Sequence, residues 1–360
     1  MHREIIRKQS ESPARLQAFF QTCLRTVFLA SVPVIMLSLS ACSGSGMGAA
    51  SSNASLNDDI PAPAASPVVL TIGTADTGGS MYPAGNAIAK VLENNDSNLK
   101  INVSASSGSV TNVADLVKNR FDMALVSGDT AYDAFQDLPP FSGKDTKDIR
   151  VLGAVYSSMS NWIAPKSSGI TFVHDLKDQI IANGPASSST DRNGRIVLET
   201  LGIDSDNRIL NTGFGDTLSR LSKSEVTAVH GFAGIPIASL TETAEKMDIR
   251  LLMFRHDELQ KILSKNPAYH LTTIPAGTYR GQTDAIATFG IKCLLCVSAS
   301  MDDETAEKIT QTLIRSSGDL SKTIPVLGEL SNPEFLCTDL PIPLHPGAKK
   351  AYREAGLLKE

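Results

Sequence analysis

The residues best placed to do chemistry in this sequence are small ones. Between an apolar run ending near Thr74 and an amphipathic run beginning near Tyr82 stand Ala75, Asp76, Thr77, Gly78, Gly79, Ser80 and Met81. Glycine at a strand-to-helix turn lets backbone amides approach a ligand, and a helix start offers unpaired N–H groups and partial positive charge. The natural guest of such a turn is a small anion. The segment has the outline of a phosphate loop, with Gly73 followed after four residues by Gly78-Gly79-Ser80, but Gly79 stands where that motif needs lysine. Gly73, Gly78 and Gly79 also fail the G-x-G-x-x-G spacing of a dinucleotide site.

Two more turns share this composition. Ser106-Ser107-Gly108-Ser109 precedes a helical stretch containing Asn112, and Gly184-Pro185-Ala186-Ser187-Ser188-Ser189-Thr190 precedes another. Taken singly, a serine-rich turn is more often a helix cap than a site. Three of them at the carboxyl ends of strands mark the edge where open α/β sheets bind ligands. The expected contacts are Thr77, Gly78, Gly79, Tyr82, Ser107, Ser109, Asp129, Ser188 and Thr190. Asp129 either accepts a ligand amino group or caps the next helix. Tyr82 packs on the ligand's carbon chain or in the core, and Tyr279 orders a hinge.

Catalysis finds little support. Ser187, Ser188 and Ser189 lack the G-x-S-x-G elbow that exposes a nucleophile. His2, His174, His230, His256, His270 and His345 show no metal spacing. A binding protein with no cofactor and no enzymatic activity is the expectation, and His345 reads as structural.

The elements that must hold these turns alternate between strand and helix period. Strands are expected at Val68 to Thr74, Leu99 to Ala105, Met123 to Ser127, Val151 to Tyr156, Ile180 to Ala182, Arg208 to Leu210, Val226 to Val229, Arg250 to Phe254 and within 284–298. Helices are expected at Tyr82 to Leu92, Val110 to Lys118, Arg192 to Leu201, Ile237 to Met247, Asp302 to Leu313 and Ala348 to Ala355. This is α/β patterning, which implies parallel sheets. Ser160 to Pro165 and Tyr279 to Phe289 read as connections, so one lobe, 163–285, would be inserted into another, 68–162 plus 286–360.

The chain has 360 residues, 20% charged and 42% hydrophobic, with a formal net charge of −5. Two domains and no basic nucleic-acid footprint follow. Residues 1–42 read as a signal peptide: Arg3, Arg7, Lys8, Arg15 and Arg25 precede an uncharged apolar run from Thr26 to Ala41. Leu39-Ser40-Ala41-Cys42 resembles a bacterial lipobox, which would place a lipid on Cys42 and the protein at a membrane in the periplasm. Ordinary cleavage near Ala41 is the alternative, and the run is short for an uncleaved membrane span. Residues 43–67, rich in Ser, Gly, Ala, Asn and Pro, read as a flexible tether. Cys293 and Cys296 lie three apart on an apolar strand and so face opposite sides. They and Cys337 read as buried, or as one disulfide from Cys337 to either partner.

Several of these segments together resemble the TAXI-type solute receptors of TRAP transporters. They are Ile72-Gly73-Thr74 through Gly78-Gly79, Ser107-Gly108-Ser109 with Asn112, Ala124-Leu125-Val126 followed by Asp129, and Gly184 to Thr190. Further matches are Gly234-x-Pro236, Ile274-Pro275-Ala276-Gly277-Thr278-Tyr279-x-Gly281-Gln282, Ile342-Pro343-Leu344-His345-Pro346-Gly347-Ala348 and Tyr352-Arg353-Glu354-x-Gly356. The resemblance spans Val68 to Leu357. It implies an α/β periplasmic binding protein fold, with two doubly wound lobes and a hinge. It also implies a ligand such as glutamate, glutamine or a dicarboxylate, and a TRAP membrane permease as partner. The third loop departs from the family's usual Gly-Ser-Gly-Thr, and His230 and Thr227 lie where the family tends to carry an aromatic and an aspartate. A lipid-anchored sensor or scaffold that kept the fold is the alternative.

Overall fold

The computed structural model describes residues 67–204 and 208–359. The expected signal peptide, Cys42 and all of the expected tether but Pro67 lie outside these residues. Among the described residues no helix is long and apolar enough to cross a membrane.

The fold opens with parallel strands β1 (Val68–Gly73), β2 (Leu99–Ser104) and β3 (Met123–Ser127), with β1 between the other two. Every residue of β3 is buried, which is why it reads as a continuous apolar run. Helix α1 (Met81–Asn95) buries Met81, Ala84, Gly85, Ile88, Ala89 and Leu92, the i, i+3, i+4 stripe of an amphipathic helix. Helices α2 (Ser109–Leu116) and α3 (Gly128–Phe135) follow β2 and β3. Helix α3 is the one for which Asp129 is a candidate cap, although its opening Gly128-Asp129-Thr130 has turn composition.

Strand β4 (Ile149–Pro165) is far longer than the Val151 to Tyr156 expected. The polar run Ser157 to Asn161 looks like a break, and Ser160 to Pro165 like a connection. Buried partners keep this stretch in the sheet instead: Ser160 Oγ lies 3.1 Å from His230 Nε2, and Trp162 Nε1 donates to Ser160 Oγ at 3.0 Å. His230, stacked on Trp162 and pushed down to about 3 by burial, is a neutral core residue.

Strands β5 (Ile180–Ala182), β6 (Arg208–Leu210), β7 (Ala228–Ala233) and β8 (Ile249–Leu251) come next, interleaved with α4 (Ser189–Thr200), α5 (Phe214–Ser222) and α6 (Ala238–Lys246). Helix α7 (His256–Leu263) and strand β9 (His270–Ile274) lead into β10 (Ile286–Ser298), and α8 (Asp303–Thr323) and α9 (Pro346–Glu354) close the chain. Short α5, α7 and β9 were not anticipated. The second presumed connection, Tyr279 to Phe289, is a loop that becomes strand at Ile286.

The hydrogen-bonded order is β2-β1-β3-β10-β4-β7-β5-β6, with β8 on β4 and β9 on β10. Parallel strands therefore form two groups, and the long antiparallel pair β4 and β10 runs through both. The apolar packing divides likewise. Ile72, Ile88, Leu125, Leu295 and Leu320 belong to a cluster in the first group, and Trp162, Ile181, Phe232 and Phe289 to one in the second.

Cys293 packs with Leu125 and Tyr352, and Cys296 packs with Val126 and Val151 on the opposite face. Cys293, Cys296 and Cys337 are all buried and free, so the disulfide alternative is not realised. Burial pushes the Cys293 thiol up to about 12, which keeps it protonated and unreactive.

The α8–α9 contact gives a test of this packing. A Cβ on Gly347 would overlap the Asp303 carbonyl oxygen, whereas one on exposed Gly318 in α8 would meet nothing within 4 Å. Gly347→Ala is expected to destabilise by about 1–3 kcal/mol through overpacking. Gly318→Ala should stabilise by up to about 1 kcal/mol through helix propensity, both read from urea unfolding of the full-length chain.

Candidate functional site

The three small-residue turns, distant in sequence, meet in space. Each begins a helix: Ser80 caps α1, Gly108 caps α2 and Ser188 caps α4, where its Oγ accepts from Asp191 N at 3.0 Å. Gly108 has φ +117° and its backbone lies against the third turn, so that an added Cβ would stand 3.2 Å from Ser188 Cα. A larger residue there would meet both a disfavoured backbone and a backbone neighbour.

Between the turns is a cavity of about 50 Å³. Its lining includes Gly79, Ser107, Ser188 and Thr190 from the sequence expectation, with Met81, Tyr156, Phe214 and Phe232 as its large side chains. No lysine, arginine or histidine is among the lining residues. Burial pushes the Tyr156 hydroxyl well above its ordinary range, so it stays neutral.

Buried polar bonds hold the first two turns in place. Asn112 Nδ2 donates to Thr74 O at 2.6 Å and Leu125 O at 2.7 Å, tying the end of β1 to the middle of β3. Ser106 Oγ donates to Asn112 Oδ1 at 2.7 Å or to Thr74 O at 2.8 Å, and accepts from Gly108 N at 2.9 Å. The glycine turn is also fastened to the second group of strands. Ser80 Oγ donates to Gly234 O at 2.9 Å, and Ser239 Oγ donates to Gly78 O at 3.0 Å. Asp76 Oδ1 accepts from Gly78 N at 3.0 Å and from Phe214 N at 3.2 Å, so its carboxylate stands on the start of α5.

The remaining expected contacts lie elsewhere. Thr77 is exposed, Tyr82 is half-buried outside the lining, and Gly78 abuts the α5 start at Gly215. Ser109 is buried, with Oγ accepting from Ser127 N at 2.9 Å. Asp129 is fully buried and outside the lining. Its Oδ1 accepts from Thr130 N at 2.7 Å, while Oδ2 accepts from Asn193 Nδ2 at 2.8 Å and Tyr269 OH at 3.0 Å. Arg192, the base beside the third turn, bonds Asp133 and lies 3.7 Å from Asp129 Oδ2. Burial opposes its charge, but the two carboxylates outweigh that and raise its pKa.

Asp76, Tyr156, Phe214 and Phe232 were missed as site residues. Gly213-Phe214-Gly215 is itself a small-residue helix start, a signal that could have found Phe214. Nothing in the local pattern marks Phe232, which reaches the cavity only because β7 packs behind the third turn.

A larger cavity, about 580 Å³, lies between Tyr132, Ser157, His270, Lys292, Glu329 and Asp339. Two of its charges already have partners in the fold. Lys292 Nζ donates to Thr338 O at 2.8 Å and Phe335 O at 3.1 Å, and the Glu329 carboxylate accepts from Ser157 N and Oγ at 2.5 and 2.8 Å. It contains none of the three turns, so the smaller cavity is the better candidate.

Asp133 gives a test of the Arg192 cluster. Burial raises its pKa from 3.8 to about 6, more than Arg192 lowers it, and Asp129 adds to the rise. The folded state then favours the protonated carboxyl. This contribution is fully present below 3.8 and is lost as pH rises through about 6. Wild type should lose stability relative to Asp133→Asn across that window and no further above it, measured by urea unfolding at a series of pH values.

Known structures with a similar chain path include the alkanesulfonate-binding protein from Xanthomonas axonopodis pv. citri bound to MOPS. That similarity has 18% identity, a TM-score of 0.46, and covers 82% of this chain and 96% of that one. A putative L-cystine ABC transporter from Listeria monocytogenes is similar at 13% identity and a TM-score of 0.45, over 76% of this chain and 97% of that one. These similarities are too low to carry an argument about function. The sequence match is broader: the pattern of one family runs through residues 72–356, from within β1 to just past α9, and on that match the chain belongs to the NMT1-like family.

Proposed function

We propose that this protein is an extracytoplasmic solute receptor of the TAXI type that closes two lobes around a small carboxylate and delivers it to a TRAP membrane permease. The observation that carries this reading is the meeting of three helix starts, two from the first group of strands and one from the second, around one cavity. Helix N-termini favour anions by about 0.3–1 kcal/mol each, and more where partly buried, so several together substitute for an arginine. Gly79, Ser107, Ser188 and Thr190 contact the ligand in this reading, and Gly78 and Ser109 shape the turns. Thr77 and Tyr82 border the mouth, and Asp129 holds the lobes together.

The lobes are 68–162 with 286–360, and 163–285, and β4 and β10 form the hinge. Hinge closure of this kind is how two-lobed receptors enclose a solute. The glutamate, glutamine and dicarboxylates implied by the resemblance belong to this ligand class. The reading involves no catalysis, since Ser188 and Ser189 have no basic residue beside them in the cavity lining. A second reading, a lipid-anchored sensor or scaffold without transport, draws on the glycine turn's bonds to the chain's own Phe214 and Ser239.

Two experiments test the proposal. A carboxylate at 100 times its dissociation constant should stabilise the full-length chain by about 2.7 kcal/mol, seen as a thermal shift. Gly108→Val should abolish that shift and Gly318→Ala should leave it. No shift with any amino acid or carboxylate would count against the receptor and favour the sensor. For the anchor, Cys42→Ser should move the protein from the membrane fraction to the soluble one, and unchanged fractionation would remove the lipid from the proposal.

A further inference from the structure

We infer that the cavity selects a compact monoanion, one carboxylate on a short apolar body, and rejects dicarboxylates and glutamate. The inference rests on the receptor reading and narrows its ligand class.

Size is the first argument. Ligand pockets usually span about 300–1,000 Å³. The volume of about 50 Å³ here has room for roughly four water-sized groups. Acetate and propionate are of that scale, whereas succinate and glutamate are about twice as large.

Charge is the second. Each helix start contributes about half an elementary charge, so those of α1, α2 and α4 supply about one and a half, enough for one anion and short of two. A second carboxylate would find no cation. Arg192 is committed to Asp133 and Asp129, and the start of α5, the next nearest source of N–H donors, is occupied by Asp76. The Asp76 carboxylate adds repulsion against a dianion. An enclosed charge without a partner is strongly disfavoured.

The walls are the third. Met81, Tyr156, Phe214 and Phe232 present apolar surface that suits a methyl or ethyl group. The Asp76 carboxylate, the one charged group in the lining, can accept from the ammonium of a small zwitterion, so glutamate is excluded by its bulk and its second carboxylate.

Isothermal titration calorimetry on the full-length chain decides this, with acetate, propionate, butyrate, hexanoate, succinate and glutamate as titrants. Propionate should bind at least about tenfold more tightly than succinate or glutamate, the cost of one unpaired buried group. Hexanoate should bind weakly to wild type and about tenfold more tightly to Phe214→Ala, whose truncation opens the apolar wall. Phe214→Leu, a milder change, should move the preference the same way if the alanine variant does not fold. Tighter binding of glutamate or succinate than of any monocarboxylate would overturn the selectivity and leave the receptor standing. No heat with any of the acids would overturn both.

Discussion

The pairing of β4 with β10 is the constraint on which the rest depends. These antiparallel strands run from the end of the first core into the second, with registers from Gly290↔Met159 to Ser298↔Ile149. Every other strand adds to one or both of them directly or through a neighbour. Because the parallel strands attach on either side of this pair, the helix starts of the two groups come to face each other.

The polar residues of β4 show how such a strand is kept in the interior. Ser160, Trp162 and His230 bond in series, with His230 Nδ1 lying 2.9 Å from Asn183 Oδ1. A buried polar group left alone would cost about 1–3 kcal/mol, so the series removes a penalty. Asn183 in turn donates to Asp191 O at 2.9 Å, which ties the β4 crossing to the first turn of α4. The third small-residue turn is therefore positioned by a chain of bonds that begins on β4. Asn112 does the same for the first two turns by joining the end of β1 to the middle of β3.

The site itself was partly legible in the sequence. Glycine and serine before a helix have a local physical cause, and the turns at Gly79, Ser107 and Ser188 are found where that cause places them. Asp129 had two expected roles, but it lies inside α3, whose N-cap is Ser127, and its Oδ1 accepts from the adjacent Thr130 N. Its other oxygen serves neither a ligand in the lining nor the cap, because Asn193 and Tyr269 arrive from far along the chain. Likewise Arg192 looks like a ligand base from its place beside the third turn, until Asp133 and Asp129 are seen to claim it.

What the sequence by itself determined is local: the strand and helix periods, the parallel α/β pattern, the opposite facing of Cys293 and Cys296, and the small-residue helix starts. These follow from backbone geometry and near-neighbour chemistry, which a single segment carries. Only the tertiary structure decided that β4 continues through its polar run, that Cys337 stays free, and that aromatic residues from β4, α5 and β7 wall the cavity. Each depends on partners distant in the chain, and the energy of a polar group or an aromatic ring is set by what packs on it, which no local pattern encodes.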